Sequence, residues 1–203
     1  MIRRAVVVLC ALGFACGSNP SGPTTAAISA SPSGLALAGA TRITFTGTGV
    51  DPQGGALSYS WNFGDGTSGS GQTVGHVFSS EGTFNVVLTV AGDRGSNATA
   101  AVSVQARSLS GHWTPLQNGG PGIDATIVQS GATLSGQSTN ECCTHTFSGS
   151  VRDPLAIELV FHFSGCPAGS RTFVGSVSAD LNTISLTGPN CNVPSTTYGF
   201  TRK

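Results

Sequence analysis

The hexapeptide Trp61-Asn62-Phe63-Gly64-Asp65-Gly66 sets the tightest constraint on what this chain can fold into. Aromatics alternating along an extended run lead straight into an aspartate flanked by two glycines. Glycine reaches positive φ without steric cost and an aspartate bonds its own backbone two residues on, so the chain reverses here in a β-turn. Alternation continues on both sides, strictly in Arg42-Ile43-Thr44-Phe45-Thr46 and more loosely in Asn85-Val86-Val87-Leu88-Thr89-Val90. Apolar residues at every second position give a strand one buried and one solvated face. The pattern predicts strands at Ala27–Ser31, Arg42–Thr46, Leu57–Phe63, Thr73–Phe78, Thr83–Val90 and Asn97–Val104. Tyr59, Trp61 and Phe63 share a face and belong to the core.

The residues that surround the turn carry a resemblance. Val50-Asp51-Pro52, Leu57-Ser58-Tyr59-Ser60, the Trp61–Gly66 turn, His76-Val77-Phe78 and Glu81-Gly82-Thr83-Phe84 together resemble a PKD domain, over residues 27–106. The resemblance implies an immunoglobulin-like β-sandwich of about seven strands. It further implies an extracellular spacer or interaction module rather than a catalyst. His76, at the family's His-x-aromatic position, is then expected to pack and to form a hydrogen bond. Asp51, Asp65 and Asp93 read as stabilisers of their own turns. A calcium site built from these three carboxylates is the competing reading.

Charged residues make up 9 % of the chain and the formal net charge is zero. No basic field exists to hold nucleic acid. The N-terminus reads as a secretory leader, residues 1–15, in which Arg3-Arg4 precede an apolar run from Ala5 to Ala15 that is too short to remain as a membrane-spanning helix. Cys16 follows, and then a polar, flexible tether at 16–26. This arrangement resembles a bacterial lipoprotein signal, although Gly13 stands where that pattern usually has leucine. The resemblance implies lipidation of Cys16 and attachment to a membrane facing the periplasm or exterior. Ordinary cleavage and secretion is the alternative.

Residues 108–203 form a second unit, joined through Ala106-Arg107-Ser108, and its pattern is again all β. Candidate strands lie at Gly111–Trp113, Ile123–Gln129, Ala132–Gln137, His145–Val151, Ala156–Phe163, Arg171–Val177, Thr183–Leu186 and Thr197–Arg202. Tight hairpin signals at Ser130-Gly131, 152–155 and 179–182 alternate with long connections at 114–122, 138–144, 164–170 and 187–196. In an up-and-down meander successive connections lie at opposite poles, so the tight turns gather at one end and the long loops at the other. That is the layout of an eight-stranded antiparallel barrel. A flattened antiparallel sandwich is the alternative. Gly111-His112-Trp113 and Arg202 resemble the Gly-x-Trp and the C-terminal arginine of lipocalin-type barrels, which implies that Arg202 packs over Trp113 at the closed pole.

Cys142, Cys143, Cys166 and Cys191 lie in or beside three of the long connections. In an exported protein they read as two disulfides, Cys142 and Cys143 each taking one of Cys166 and Cys191. A zinc site of thiolates, with or without His145, is the competing reading. His76, His112, His145 and His162 fall in no metal-binding spacing, and neither a nucleophile elbow nor a phosphate loop is present. No cofactor and no catalytic residue is therefore expected. Glu158 and His162 share one strand face and read as the solvated outside of the wall. The chain is expected to be an exported surface protein whose PKD-like module presents the barrel to protein or polysaccharide. A lipocalin-like barrel holding a small hydrophobic ligand is the alternative.

Overall fold

The computed structural model describes residues 24–116, 124–139, 144–152, 155–164, 169–190 and 193–203. Every regular element among them is a β-strand. The first half is built from β1 (Thr25–Ser31), β2 (Leu35–Leu37), β3 (Ile43–Val50), β4 (Leu57–Asn62), β5 (Ser68–Ser70), β6 (Thr73–His76), β7 (Gly82–Gly92) and β8 (Asn97–Arg107). They form two sheets, β1-β3-β6 and β2-β8-β7-β4-β5. Ile43, Phe45, Trp61, Phe78, Leu88 and Val104 fill the space between them. The alternating runs all became strands, and β1 starts at Thr25, inside the stretch read as tether. Alternation did not reveal β2 and β5. The first has three residues and the second is Ser-Gly-Ser, with no apolar face to read.

The aromatic strand ends in the expected reversal. Asn62 Oδ1 accepts the Gly64 N–H at 2.9 Å and Asp65 Oδ1 accepts the Thr67 N–H at 3.0 Å. Gly64 and Gly66 have φ of +79° and +90°. A Cβ on Gly64 would lie 2.8 Å from the Asn85 carbonyl oxygen, whereas one on Gly66 would meet nothing within 4 Å. Gly66→Val should therefore cost only the backbone term, about 1–2 kcal/mol, and Gly64→Val should cost more because the β7 backbone must also move. Thermal melts of the two variants check this order. Equal melting temperatures would show that the Asn85 contact is irrelevant.

The second half comprises β9 (Gly111–Pro115), β10 (Asp124–Ser130), β11 (Thr133–Thr139), β12 (Thr144–Arg152), β13 (Ala156–Phe163), β14 (Gly169–Val177), β15 (Thr183–Asn190) and β16 (Val193–Arg202). Each pairs antiparallel with the next, and β9 pairs with both β10 and β16. This closes an eight-stranded barrel and excludes the flattened sandwich. The tight turns after β10, β12 and β14 share one pole, so the connections after β9, β11, β13 and β15 share the other. One expectation needs correction. Residues 187–196 are not a long loop, because the ladder continues through Thr187↔Thr197, Gly188↔Thr196 and Asn190↔Val193 past a bulge. The Thr-, Pro- and Gly-rich composition hid a ladder that backbone hydrogen bonds hold without alternation.

The two units are docked rather than strung. Leu37, on a strand of the sandwich, is 1 % exposed and packs in the barrel's core with Leu109 of the connecting segment and Leu181 of the β14–β15 turn. Leu181 has a φ of +57°, unusual for a bulky residue, and burial at this seam holds it there. Gln129 spans the seam: its Oε1 accepts the Leu109 N–H at 2.6 Å and its Nε2 donates to the Ala38 carbonyl at 2.7 Å. Ser108 N–H donates to Glu81 Oε1 at 3.1 Å. Gly39 comes so close to Gly131 that a Cβ would sit 2.5 Å from its Cα. The closed pole of the barrel thus sits on the sandwich, and the opposite pole faces away.

Candidate functional site

Three places bring polar side chains together. The first is the turn in the sandwich. His76 Nε2 meets Asp65 Oδ2 at 2.7 Å, and the His76 ring lies 4.0 Å from that of Phe63, at 5° to it, with Phe78 edge-on at 4.7 Å. Burial works against ionisation of Asp65, but hydrogen bonds from Thr67 and His76 outweigh it and hold the carboxyl below its ordinary pKa. Trp61 Nε1 donates to the Gly71 carbonyl at 2.8 Å. Each of these bonds is made within the fold and ties the turn to the sandwich core, which makes it a structural knot. Asp51 does the same for its own turn, accepting from the Gln53 and Gly55 N–H groups.

The second place is the closed pole. Trp113 is fully buried, its Nε1 donating to the Leu109 carbonyl at 2.9 Å. The Arg202 guanidinium lies 5.1 Å from the Trp113 ring and donates to the Ser108 carbonyl. Burial, together with the charge of Arg107, lowers the Arg202 pKa, and Glu81 opposes the shift. Gly111, at the start of β9, has a φ of +134° and leads the chain from the seam into the wall. Two clefts flank this seam. One, of about 490 Å³, runs past Pro32, Leu35, Arg42, Leu155 and Leu181. The other, of about 220 Å³, is lined by Ser79, Ser80, Glu81, Ser108, Ser110 and Gln129.

The third place is the barrel interior. Trp113, Ile127, Phe147, Leu159, Phe161 and Leu186 fill it and leave about 10 Å³, room for at most one water. The layer above them, toward the far pole, changes character. Ser138 and His145 stand opposite each other on β11 and β12, both pointing inward and only 1 % and 6 % exposed. The His145 ring lies 4.6 Å from that of Phe163, tilted at 53° to it, and the guanidinium of inward-facing Arg171 lies 5.0 Å from the same Phe163 ring. Tyr198 of β16 packs edge-on against Phe173. His145 Nδ1 is buried with no hydrogen-bond partner. The sequence reading missed this layer as a unit. The available signal was parity, since His145 alternates in phase with Phe147 and Arg171 with Phe173. Glu158 and His162 lie on the outside of the wall, where His162 Nδ1 meets Ser170 Oγ at 2.8 Å.

Cys16 and all four barrel cysteines, Cys142, Cys143, Cys166 and Cys191, lie outside the described residues. The strand ends that flank the last four, Thr139 with Thr144, Phe163 with Gly169 and Asn190 with Val193, all reach the pole away from the sandwich. Among the described residues no group of three or more His, Cys, Asp or Glu could hold a metal ion.

The fold defines a two-module chain, a β-sandwich seated on a small closed barrel. Comparison with known proteins assigns the first module: residues 30–106 match the family model of the PKD domain, and this segment is a PKD domain. It is similar to a microbial collagenase of Vibrio alginolyticus, 36 % identical over 77 residues, a match that takes in 37 % of this chain and 10 % of the collagenase. The chain thus spans about a tenth of the length of that relative. Among solved structures, it is similar to the PKD1 domain of Vibrio anguillarum Epp (25 % identity, TM-score 0.36, covering 43 % of this chain and 96 % of that one). The chain as a whole is also similar to a carbohydrate-binding module of the β-sandwich superfamily (16 % identity, TM-score 0.41, covering 89 % of this chain and 84 % of that one).

Proposed function

We propose that this chain is an exported surface protein in which the PKD domain is a fixed spacer and the barrel's far pole is the contact surface for extracellular polysaccharide or protein. The seam carries the reading: with Leu37, Leu109 and Leu181 buried in the barrel's core, the barrel cannot swing, so its far pole is held outward. A PKD domain is itself a module of extracellular and secreted proteins, which supports the location. The role is binding rather than catalysis. The lipocalin-like alternative fits less well, because the interior below the polar layer is filled by side chains.

Attachment through a lipid on Cys16 completes the proposal. Two or more acyl chains suffice for stable anchoring, since each buried methylene contributes about 0.8 kcal/mol. Cys16→Ser should move the protein from the membrane fraction to the soluble one. Unchanged fractionation, with an unmodified mass for the wild type, would remove the anchor.

The contact surface is tested with glycan arrays and defined extracellular proteins. Arginines placed at exposed Thr139 and Thr144, on the far pole, should abolish retention of whatever the chain binds, and Thr44→Arg on the PKD sheet should not. The reverse result would make the PKD domain the contact surface.

A further inference from the structure

We infer that the larger cleft of the seam, about 490 Å³ in volume, is a binding site for a medium-chain fatty acid, with the aliphatic tail against Leu35, Leu155 and Leu181 and the carboxylate drawn to Arg42. The cleft lies at the closed pole, apart from the contact surface proposed above, so either can fail without the other. Three observations carry the inference.

First, the cleft has the size and setting of a small-molecule site. Such sites run from roughly 300 to 1,000 Å³ and favour the junctions between modules. Pro32, Leu35 and Leu37 of the sandwich form one wall, and Leu155, Ala179 and Leu181 of the barrel's turns form the other. Leu35 and Leu155 are only partly buried, so aliphatic surface is left for a ligand to cover. Second, the walls are in place before any ligand arrives. Thr41 Oγ1 accepts the Leu37 N–H at 3.0 Å, and the Leu37 carbonyl accepts the Ala40 and Thr41 N–H groups at 3.1 and 2.9 Å. A site formed in advance loses little affinity to ordering. Third, Arg42 is the one charged residue of the lining. It is exposed and makes no ion pair among the described residues. Its guanidinium lies across Gly75 of β6, where a Cβ would sit 2.4 Å from Nε. Asp180, between Ala179 and Leu181, is engaged in its own turn, accepting from the Ser178 hydroxyl and from the Asn182 N–H and Nδ2.

Apolar walls with a single cation suit an aliphatic chain that ends in a carboxylate. The guanidinium offers paired N–H donors that match the two carboxylate oxygens, and hydrogen bonds between charged groups are the strong ones. The barrel interior is filled, so a ligand of this class has its place at the seam and not within the barrel.

Calorimetry and thermal melts of the full chain test the site with octanoate, butyrate, octyltrimethylammonium and N-acetyl-leucyl-leucine. Octanoate should bind and raise the melting temperature, since a ligand held between the two modules favours the docked, folded state. Butyrate, four methylenes shorter, should bind at least about tenfold weaker. Octyltrimethylammonium, with the same tail and the opposite charge, should also bind at least about tenfold weaker. Head groups of opposite sign on one tail read the charge of the whole cleft, including any contribution from Asp153, two residues before Leu155. Arg42→Gln should remove the preference for the acid. Ser33→Trp, at an exposed position of the lining, should fill the cleft and abolish octanoate binding, with circular dichroism reporting an intact fold. No octanoate binding at millimolar concentration, a cation bound as tightly as the acid, an unchanged preference in folded Arg42→Gln or an unchanged affinity in folded Ser33→Trp would overturn the site. Tighter binding of the dipeptide than of octanoate would assign the cleft to a peptide end and overturn the fatty acid.

Discussion

Replacing Leu37 with alanine should destabilise the barrel, although Leu37 lies on a strand of the PKD domain. Its strand pairs in parallel with β8 through Leu37↔Arg107, which makes it an edge of the sandwich sheet. Its side chain, 1 % exposed, nevertheless packs with Leu109, Trp113 and Leu181 in the other module. Truncating a buried leucine removes its transfer free energy and leaves a cavity, about 2–5 kcal/mol together. The seam around it relaxes poorly, because Gly39 already touches Gly131 and the Gln129 bonds fix the separation of the two backbones. Wild type should melt in one transition, since each module completes the other. Leu37→Ala should lower the barrel's melting temperature and split the curve. Leu88→Ala, in the centre of the sandwich core, is the control that should strike the sandwich first. A barrel transition unmoved by Leu37→Ala would show that the modules fold independently and that the spacer is not fixed.

This seam was also the part least legible in the sequence. Alternation names the face a residue turns inward but not the module whose core it enters, and Leu35-Ala36-Leu37 has too few residues to alternate at all. The eight barrel strands were readable because apolar residues such as Ile127, Leu159 and Phe173 fall in series that recur at every second position, and tight turns alternating with longer connections gave the poles. The Trp61–Gly66 reversal was readable because positive φ demands glycine. The layer of Ser138, His145 and Arg171 was not, since a polar residue at an inward position looks like a solvated one until the strand's phase is known. Register supplies that phase: His145 lies opposite Ser138, and Phe161 opposite Arg171. Gln129 was hidden for a similar reason, its amide being used across two modules.

Reduction of the folded protein should lower the stability of the barrel more than any single substitution outside its core. Cys142, Cys143, Cys166 and Cys191 fall outside the described residues, but the strands on either side of them are described. Those flanking strands all end at the pole away from the PKD domain, and the connections between them carry every cysteine of the barrel unit. A bond between adjacent Cys142 and Cys143 would be strained, which leaves bridges from one connection to another as the expected pairing. Each bridge should contribute about 2–4 kcal/mol, mostly by restricting the unfolded chain. Non-reducing peptide mapping of protein taken from the cell envelope should find Cys142 and Cys143 joined to Cys166 and Cys191, in either pairing. A reductant should then lower the barrel's melting temperature, and Cys166→Ser should free one thiol in 142–143. Four free thiols in the exported protein, or stoichiometric zinc released by a thiol reagent, would overturn the bridges.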